Sequence, residues 1–102
     1  MSLELIIRPE AEADALEAYR WYNEQVSGLG QEFLVEIDRA LESIGAHPEA
    51  NRKLYREYRR GLMRRFPYSI FYAIHEARIV VFGIFHAGRH PRAWKKRAKD
   101  AL

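Results

Sequence analysis

The stretch YSIFYAIHEARIVVFGIFH, residues 68–86, decides the fold that this sequence predicts. Along residues 68–75 every even position carries Tyr or Ile, which is the two-residue period of a strand with one side in a core. Residues 78–86 form a second run, rich in Val, Ile and Phe, and the dipeptide between the two runs suits a tight turn. We therefore predict two neighbouring antiparallel strands.

A third strand is predicted at residues 58–66, and Pro67 suits its end because proline cannot donate to a strand ladder. Alternation places two sets of side chains on opposite sides of this strand. One set is Arg60, Leu62, Arg64 and Phe66, and the other is Arg59, Gly61, Met63 and Arg65. Neither set is apolar throughout, so we expect a strand near a sheet edge, where Gly61 would allow a bulge or twist. Residues 49–57 before it are predicted to be a polar connector.

The first half of the chain predicts one strand and two helices. Residues 3–8 have strand character, and Pro9 then suits the first turn of a helix over residues 9–25. After a turn at residues 27–30, apolar side chains recur at steps of three and four over residues 31–46. Two helices joined by a short turn form an antiparallel helical hairpin.

The elements together predict an α+β fold of order β-α-α-β-β-β, in which the helical hairpin packs on one face of a small, mostly antiparallel sheet. The tail, residues 91–102, predicts a short basic helix that frays at its end. The length of 102 residues suits one compact domain, so we expect a single domain over residues 1–102.

Charge is divided unevenly between the two halves of the chain. Residues 1–51 carry three basic and eleven acidic side chains, a net charge of −8, and residues 52–102 carry fourteen basic and three acidic ones, a net charge of +11. Part of this asymmetry can be neutralised between the halves of the folded protein. The surplus of cations nevertheless predicts an anionic partner for the second half.

The composition excludes some classes of protein and site. The chain has no cysteine, which excludes disulfides and thiolate zinc sites. No apolar run reaches transmembrane length and no signal-peptide pattern begins the sequence, so we expect a cytoplasmic protein without a membrane partner. We also find no phosphate-binding glycine loop, no nucleophile elbow and no pair of metal-binding histidines, and we expect no cofactor and no metal.

The segment FHAGRHPRAW, residues 85–94, follows the last predicted strand and carries candidate functional side chains. They are His86, Arg89, His90, Arg92 and Trp94. Loops at strand ends often carry function on a rigid scaffold. Gly88 and Pro91 disfavour a helix across the two histidines, which argues against a shared metal. We expect Trp94 to cover the end of the sheet, with stacking on a nucleic-acid base as the alternative.

At this point the sequence resembles the RelE/ParE family of toxins from type II toxin–antitoxin systems, over nearly its whole length. The resemblance depends on the order and spacing of short motifs rather than on any one of them. They are RPEAEAD (8–14), WYNEQ (21–25), GLGQEFLVEIDRALESI (28–44), HPEA (47–50), RRFPYSIFY (64–72) and IVVFGIFHAGRHP (79–91). The fold of that family is the one predicted above.

The resemblance implies a cytoplasmic toxin, neutralised by an antitoxin that wraps an extended, often acidic segment around it. The family has a RelE-like branch, which cleaves messenger RNA on the ribosome without metal, and a ParE-like branch, which acts on DNA gyrase by protein contact. If this chain were RelE-like, an enzyme, its candidate catalytic residues would be Arg64, Arg65, His86 and Arg89. Candidate residues for binding the antitoxin or the target are Arg59, Arg60, Arg64, Arg65, Arg89, Arg92 and Trp94.

Several positions depart from the RelE-like pattern. Ser69 stands where that branch tends to carry Arg, and no tyrosine follows Tyr72, so the C-terminal tyrosine of the branch is absent. His90 stands where ParE-like relatives often carry Asp. These positions favour a ParE-like growth inhibitor that contacts gyrase. The alternatives are a ribosome-dependent mRNA endoribonuclease and a non-toxic module that binds RNA or phosphate.

Overall fold

A computed structural model describes residues 3–101 and confirms the predicted α+β fold. Its elements in chain order are β1 (Glu4–Ile7), α1 (Pro9–Gln25), α2 (Leu29–Ala46), β2 (Lys53–Tyr55), β3 (Tyr58–Leu62), β4 (Tyr68–His75), β5 (Arg78–His86) and α3 (Pro91–Lys99). The five strands form one sheet in the order β1-β5-β4-β3-β2. Strand β1 runs parallel to β5, and the other neighbours are antiparallel. Within residues 3–101, no helix is both long and apolar enough to span a bilayer.

The helical hairpin forms largely as predicted. Helix α1 has the predicted bounds, with Pro9 in its first turn. Helix α2 begins two residues earlier than predicted, because Gly28 takes a left-handed φ of 90° and the chain turns there. Gly30 then lies so close to α1 that an added Cβ would come within 2.5 Å of the Tyr19 carbonyl oxygen. Its N–H donates to Asn23 Oδ1 at 2.7 Å, which fixes the first turn of α2 against α1.

The predicted third strand and the polar connector need correction. Strand β3 ends at Leu62, and residues 63–67 turn back towards β4, with Arg65 at a positive φ of 68°. Phe66 therefore does not share a face with Arg60 but packs into the core under the hairpin. The connector contains the short strand β2, which pairs antiparallel with β3 and forms the sheet edge.

The predicted irregularity at Gly61 lies elsewhere in the sheet. The register of β3 against β4 is regular through Gly61. The register shifts instead between β2 and β3, where Leu54 is the extra residue, and in β5, where Phe82 is the extra residue between the paired residues Val81 and Gly83. The absence of a side chain at Gly61 serves helix packing instead. An added Cβ there would lie 2.9 Å from Cδ1 of Ile44 in α2.

Both faces of the sheet are covered. The hairpin side buries large side chains of β4 and β5, among them Ile70, Tyr72 and Val81, against α1 and α2. On the other side, Phe71, Phe82 and Phe85 pack against α3. The basic tail helix is therefore a third layer over residues 91–99, and the hairpin alone does not complete the core.

Candidate functional site

The four arginines around β3 do not form one surface. Arg59 is partly buried, and its Nη1 donates to the carbonyl oxygens of Glu49 and Asn51, so it holds the connector in place. By alternation, Arg60 lies on the opposite face of the sheet, where it is exposed. Its neighbour on that face, Leu62, is 72% exposed.

Arg64 and Arg65 lie in the turn after β3 rather than on a sheet face. The guanidinium of Arg65 forms an ion pair with Glu32 of α2, with 2.9 Å between Nη1 and Oε1, and about half of each side chain is exposed. Arg64 is exposed and forms no ion pair with any residue between 3 and 101. One of the two candidate arginines is therefore neutralised by the hairpin, and the other is free to meet a partner.

A cleft of about 510 Å³ lies between α1 and the end of β5. Its lining residues include Tyr22 of α1, Tyr68 at the start of β4, His86 at the end of β5, and Arg89 in the loop after it. The cleft therefore brings together two of the four candidate catalytic residues, His86 and Arg89. Neither Arg64 nor Arg65 is part of its lining.

His86 is held at the rim of the cleft by its own turn. Its Nδ1 accepts a hydrogen bond of 2.8 Å from the Gly88 N–H, and its ring packs edge-on against Tyr68 with 5.2 Å between centroids. The Nε2 atom is therefore the nitrogen left to meet a partner. The guanidinium of Arg89 lies over the ring of Phe85, 5.2 Å from its centroid, and the side chain remains exposed.

His90 and Trp94 have structural roles that the sequence indicated in part. His90 precedes α3, and its Nδ1 accepts a hydrogen bond of 3.1 Å from the Arg92 N–H, so it caps the helix. Trp94 is 7% exposed and stacks on Phe71 with 5.1 Å between ring centroids, which agrees with its predicted position over the sheet. Its ring is not available to a base or a partner in this conformation. Arg92 is exposed.

The two tyrosines of the cleft favour hydrogen-bond donation over proton abstraction. Burial raises the pKa of Tyr22, and it also raises the pKa of Tyr68. The pKa of Tyr68 is raised further by its coupling to the Tyr22 phenol, which would repel a second phenolate, and by the negative charge of Glu17. Both phenols therefore stay protonated at neutral pH. Within residues 3–101 no group of three or more His, Asp or Glu side chains could hold a metal ion.

Sequence reasoning missed an ion pair between Asp14 of α1, which lines the cleft, and Arg97 of α3. The pair is bidentate, at 2.9 and 3.1 Å, with 17% of the Asp14 side chain and 25% of the Arg97 side chain exposed. Oδ2 of Asp14 also accepts the Ile84 N–H at 3.0 Å, and Arg97 donates to the Phe82 carbonyl at 3.0 Å. Strand β1 pairs with β5 only as far as Val81, so beyond that residue β5 has an open edge. The ion pair covers this edge by bonding to the backbone of Phe82 and Ile84. The spacing of these residues in sequence contains no signal for the contact.

Ion pairs use only part of the positive charge in the second half. Among residues 52–101, Lys53, Arg65, Arg78 and Arg97 pair with carboxylates, and the last three of these pair with the acidic first half. Ten of the fourteen basic side chains form no ion pair with a residue in the range 3–101. They are Arg52, Arg56, Arg59, Arg60, Arg64, Arg89, Arg92, Lys95, Lys96 and Lys99. The predicted neutralisation between the two halves therefore occurs, but these three ion pairs leave most of the positive charge of the second half unpaired within the described residues.

Comparison with known proteins gives one family and several similar structures. The family described as "ParE toxin of type II toxin-antitoxin system, parDE" matches residues 5–91. No curated protein sequence matches the chain. Among solved structures, the chromosomal ParDE toxin–antitoxin system from P. aeruginosa is similar, with a TM-score of 0.70 and 19% identity over 82% of this chain and 95% of that chain.

Two structures of the E. coli RelE toxin are also similar. The isolated toxin has a TM-score of 0.59 and 20% identity, over 98% of this chain and 99% of that chain. A mutant of the same toxin with two arginines replaced by alanine, in the free state, has a TM-score of 0.63 and 18% identity over the whole of both chains. At these identities the structures establish a shared fold, whereas the family match covers most of the sequence. The chain therefore belongs to the ParE toxin family of type II toxin–antitoxin systems.

Proposed function

We propose that the protein inhibits growth when it is free, and that a cognate antitoxin neutralises it by covering its basic second half. Membership of a toxin–antitoxin family implies such a partner. The observation that carries the proposal is the set of ten basic side chains that form no ion pair with residues 3–101. An extended acidic segment would supply the missing counter-charges and associate rapidly through the positive field.

We further propose that the target is DNA gyrase, inhibited by protein contact. Cleavage of RNA by cations and histidine would require several groups within hydrogen-bonding reach of one phosphate. Here the candidate groups are dispersed: Arg65 is paired with Glu32, and only His86 and Arg89 share the cleft. Ser69, at the position where the RelE-like branch tends to carry Arg, is buried between Leu62 and Phe85 in the strand ladder. These contacts support a protein-binding function.

The experiment on the target is a supercoiling assay with purified toxin and DNA gyrase. We expect loss of supercoiling as toxin is added, and recovery when the toxin is first mixed with its antitoxin. Mapping of transcript ends after induction in cells tests the ribonuclease alternative in parallel. Unimpaired supercoiling together with ribosome-dependent cuts would refute the gyrase proposal and favour a RelE-like enzyme. Continued growth without the antitoxin would refute toxicity altogether.

The experiment on the antitoxin is charge reversal at exposed arginines without ion pairs. We expect Arg60→Glu combined with Arg64→Glu to weaken antitoxin binding by roughly 10- to 100-fold at low salt, because two attractive contacts become repulsive. The control is the single reversal Arg78→Glu, at a residue already paired with Glu4 at the far edge of the sheet, and it is compared with each single reversal, Arg60→Glu and Arg64→Glu, as well as with the double variant. Equal affinities for the wild type, the control and the Arg60 and Arg64 variants by calorimetry would contradict an electrostatic contact at these arginines.

A further inference from the structure

One face of α1 is left without a partner inside the molecule. Its buried residues, Ala11 and Ala18, lie on the side that packs against the rest of the fold. The opposite side forms a shallow groove of about 460 Å³, which is built from one helix alone. The groove is lined by Ala13, Leu16, Glu17, Arg20, Trp21 and Glu24, and each of these residues is exposed.

The residues of this face form one stripe along the helix. Ala13, Glu17, Arg20 and Glu24 follow one another at steps of four, three and four residues, which places them in a single stripe. Leu16 and Trp21 flank the stripe on either side, with 45% and 54% of their surfaces exposed. This face of α1 therefore combines a central row of charged residues with two exposed, large apolar side chains.

The stripe is complementary to itself when a second copy of α1 runs antiparallel to the first. With the two-fold axis between residues 18 and 19, Glu17 lies level with Arg20 of the second copy, and Ala13 lies level with its Glu24. Symmetry repeats each pairing, so two Glu–Arg pairs lie at the centre and two small residues face the outer glutamates. No like charges are brought level with each other along the stripe.

The flanking apolar residues also find partners in this arrangement. A two-fold axis of this kind keeps Leu16 of both copies on one flank and Trp21 of both copies on the other. On each flank the two equivalent residues are about 7.5 Å apart along the helix axis, at a rise of about 1.5 Å per residue, which long side chains can bridge. Leucine and tryptophan would thus shield the central ion pairs from water.

We propose that this protein self-associates into a symmetric dimer through the exposed face of α1. The inference is independent of the proposed function, because it depends only on the charge complementarity and exposure of one helix. A contact of about three helical turns per copy, from one helix alone, is small compared with a standard interface of about 800 Å² per partner, so we expect a weak dimer with a dissociation constant in the micromolar range. The outer glutamates and the ion pairs would make the dimer sensitive to salt.

The first test is sedimentation velocity of the whole chain at concentrations from about 1 µM to about 500 µM, a range that covers weak interfaces. We expect the wild type to shift from monomer to dimer, and Glu17→Arg or Arg20→Glu to weaken the dimer by roughly 10- to 100-fold. The combined variant, Glu17→Arg with Arg20→Glu, restores complementarity and should dimerise like the wild type. The control Glu42→Arg makes the same change of charge at an exposed site on α2 and should have no effect.

The second test reports the register of the helices and uses the fact that the chain has no cysteine. A protein with Ala13→Cys is mixed with one carrying Glu24→Cys under mild oxidation. We expect the mixture to form a disulfide-linked dimer faster than either protein alone, because the two positions face each other across the axis. Both substitutions are on exposed positions, and thermal unfolding of each variant verifies that it folds.

The results of these two tests distinguish a dimer through α1 from a monomer and from a dimer through another surface. Dimerisation that single reversals weaken and the double reversal restores, with preferential cross-linking in the mixture, supports the proposal. A wild type that remains monomeric throughout the concentration range overturns it. A dimer that is indifferent to the charge variants also overturns it, because association would then use another surface.

Discussion

The ion pair between Asp14 and Arg97 is predicted to be the most important polar contact of the fold. Asp14→Ala removes a partly buried charge partner and leaves the Ile84 N–H without its acceptor. An unsatisfied buried N–H costs about 1–3 kcal/mol. A bidentate pair that is mostly shielded from water contributes on the order of 1 kcal/mol more, discounted for its partial exposure. We therefore expect a loss of about 3 kcal/mol in the free energy of unfolding, or roughly 15 °C in Tm.

The assay is urea and thermal unfolding followed by circular dichroism, arranged as a double-mutant cycle. Asp14→Ala, Arg97→Ala and the double variant should give a coupling energy of about 1–2 kcal/mol, because the two side chains share two hydrogen bonds. The control Glu4→Ala breaks the exposed pair with Arg78 and should cost less than about 0.5 kcal/mol. A cost below about 1 kcal/mol for Asp14→Ala, or no coupling, would refute the reasoning.

Three further predictions concern stability. Gly45→Ala should stabilise the protein by about 0.5–1 kcal/mol, because nothing lies within 4 Å of the Cβ that it adds to the helix. Gly30→Ala should destabilise the protein, because its Cβ would lie 2.5 Å from the Tyr19 carbonyl oxygen. Thermal unfolding compares the two variants. Burial raises the pKa of Tyr72, so the stability that its protonated phenol contributes is complete below the ordinary pKa of 10.0 and declines as pH rises above it. Tyr72→Phe should therefore reduce the loss of folding stability between about pH 9 and about pH 11, measured by urea unfolding. Trp94→Ala should cost about 3–5 kcal/mol and increase amide exchange in α3, because it removes a buried ring from the second face of the sheet.

The elements that the sequence predicted correctly are those with the clearest local signals. Strands β4 and β5 have the predicted bounds because both are runs of apolar and aromatic side chains that are buried on the two faces of the sheet. Helix α1 also has its predicted bounds, since Pro9 marks its start. In each case the local pattern and the tertiary packing specify the same structure.

The elements that were wrong are those that backbone contacts define. Strand β2 has only three residues, and two of them are exposed, so its side chains show no period that predicts a strand. The strand is defined by its backbone hydrogen bonds with β3. The end of β3 is set by a turn in which Arg65 takes a positive φ, which arginine rarely adopts. The predicted alternation failed beyond Leu62 for that reason.

In the candidate site, too, the features that depend on backbone contacts were predicted less well than those that depend on composition. Whether an arginine lies on a sheet face or in a turn depends on where the strand stops, and an error of four residues transferred Arg64 and Arg65 from one setting to the other. A hypothesis of catalysis is sensitive to such an error, because it requires several groups at hydrogen-bonding distance from one phosphate. A hypothesis of binding through charge is not, because the surplus of cations is a property of composition and ten of them remain without ion pairs within residues 3–101. The sequence therefore supports a basic protein-binding surface more firmly than it supports any catalytic arrangement of the same residues.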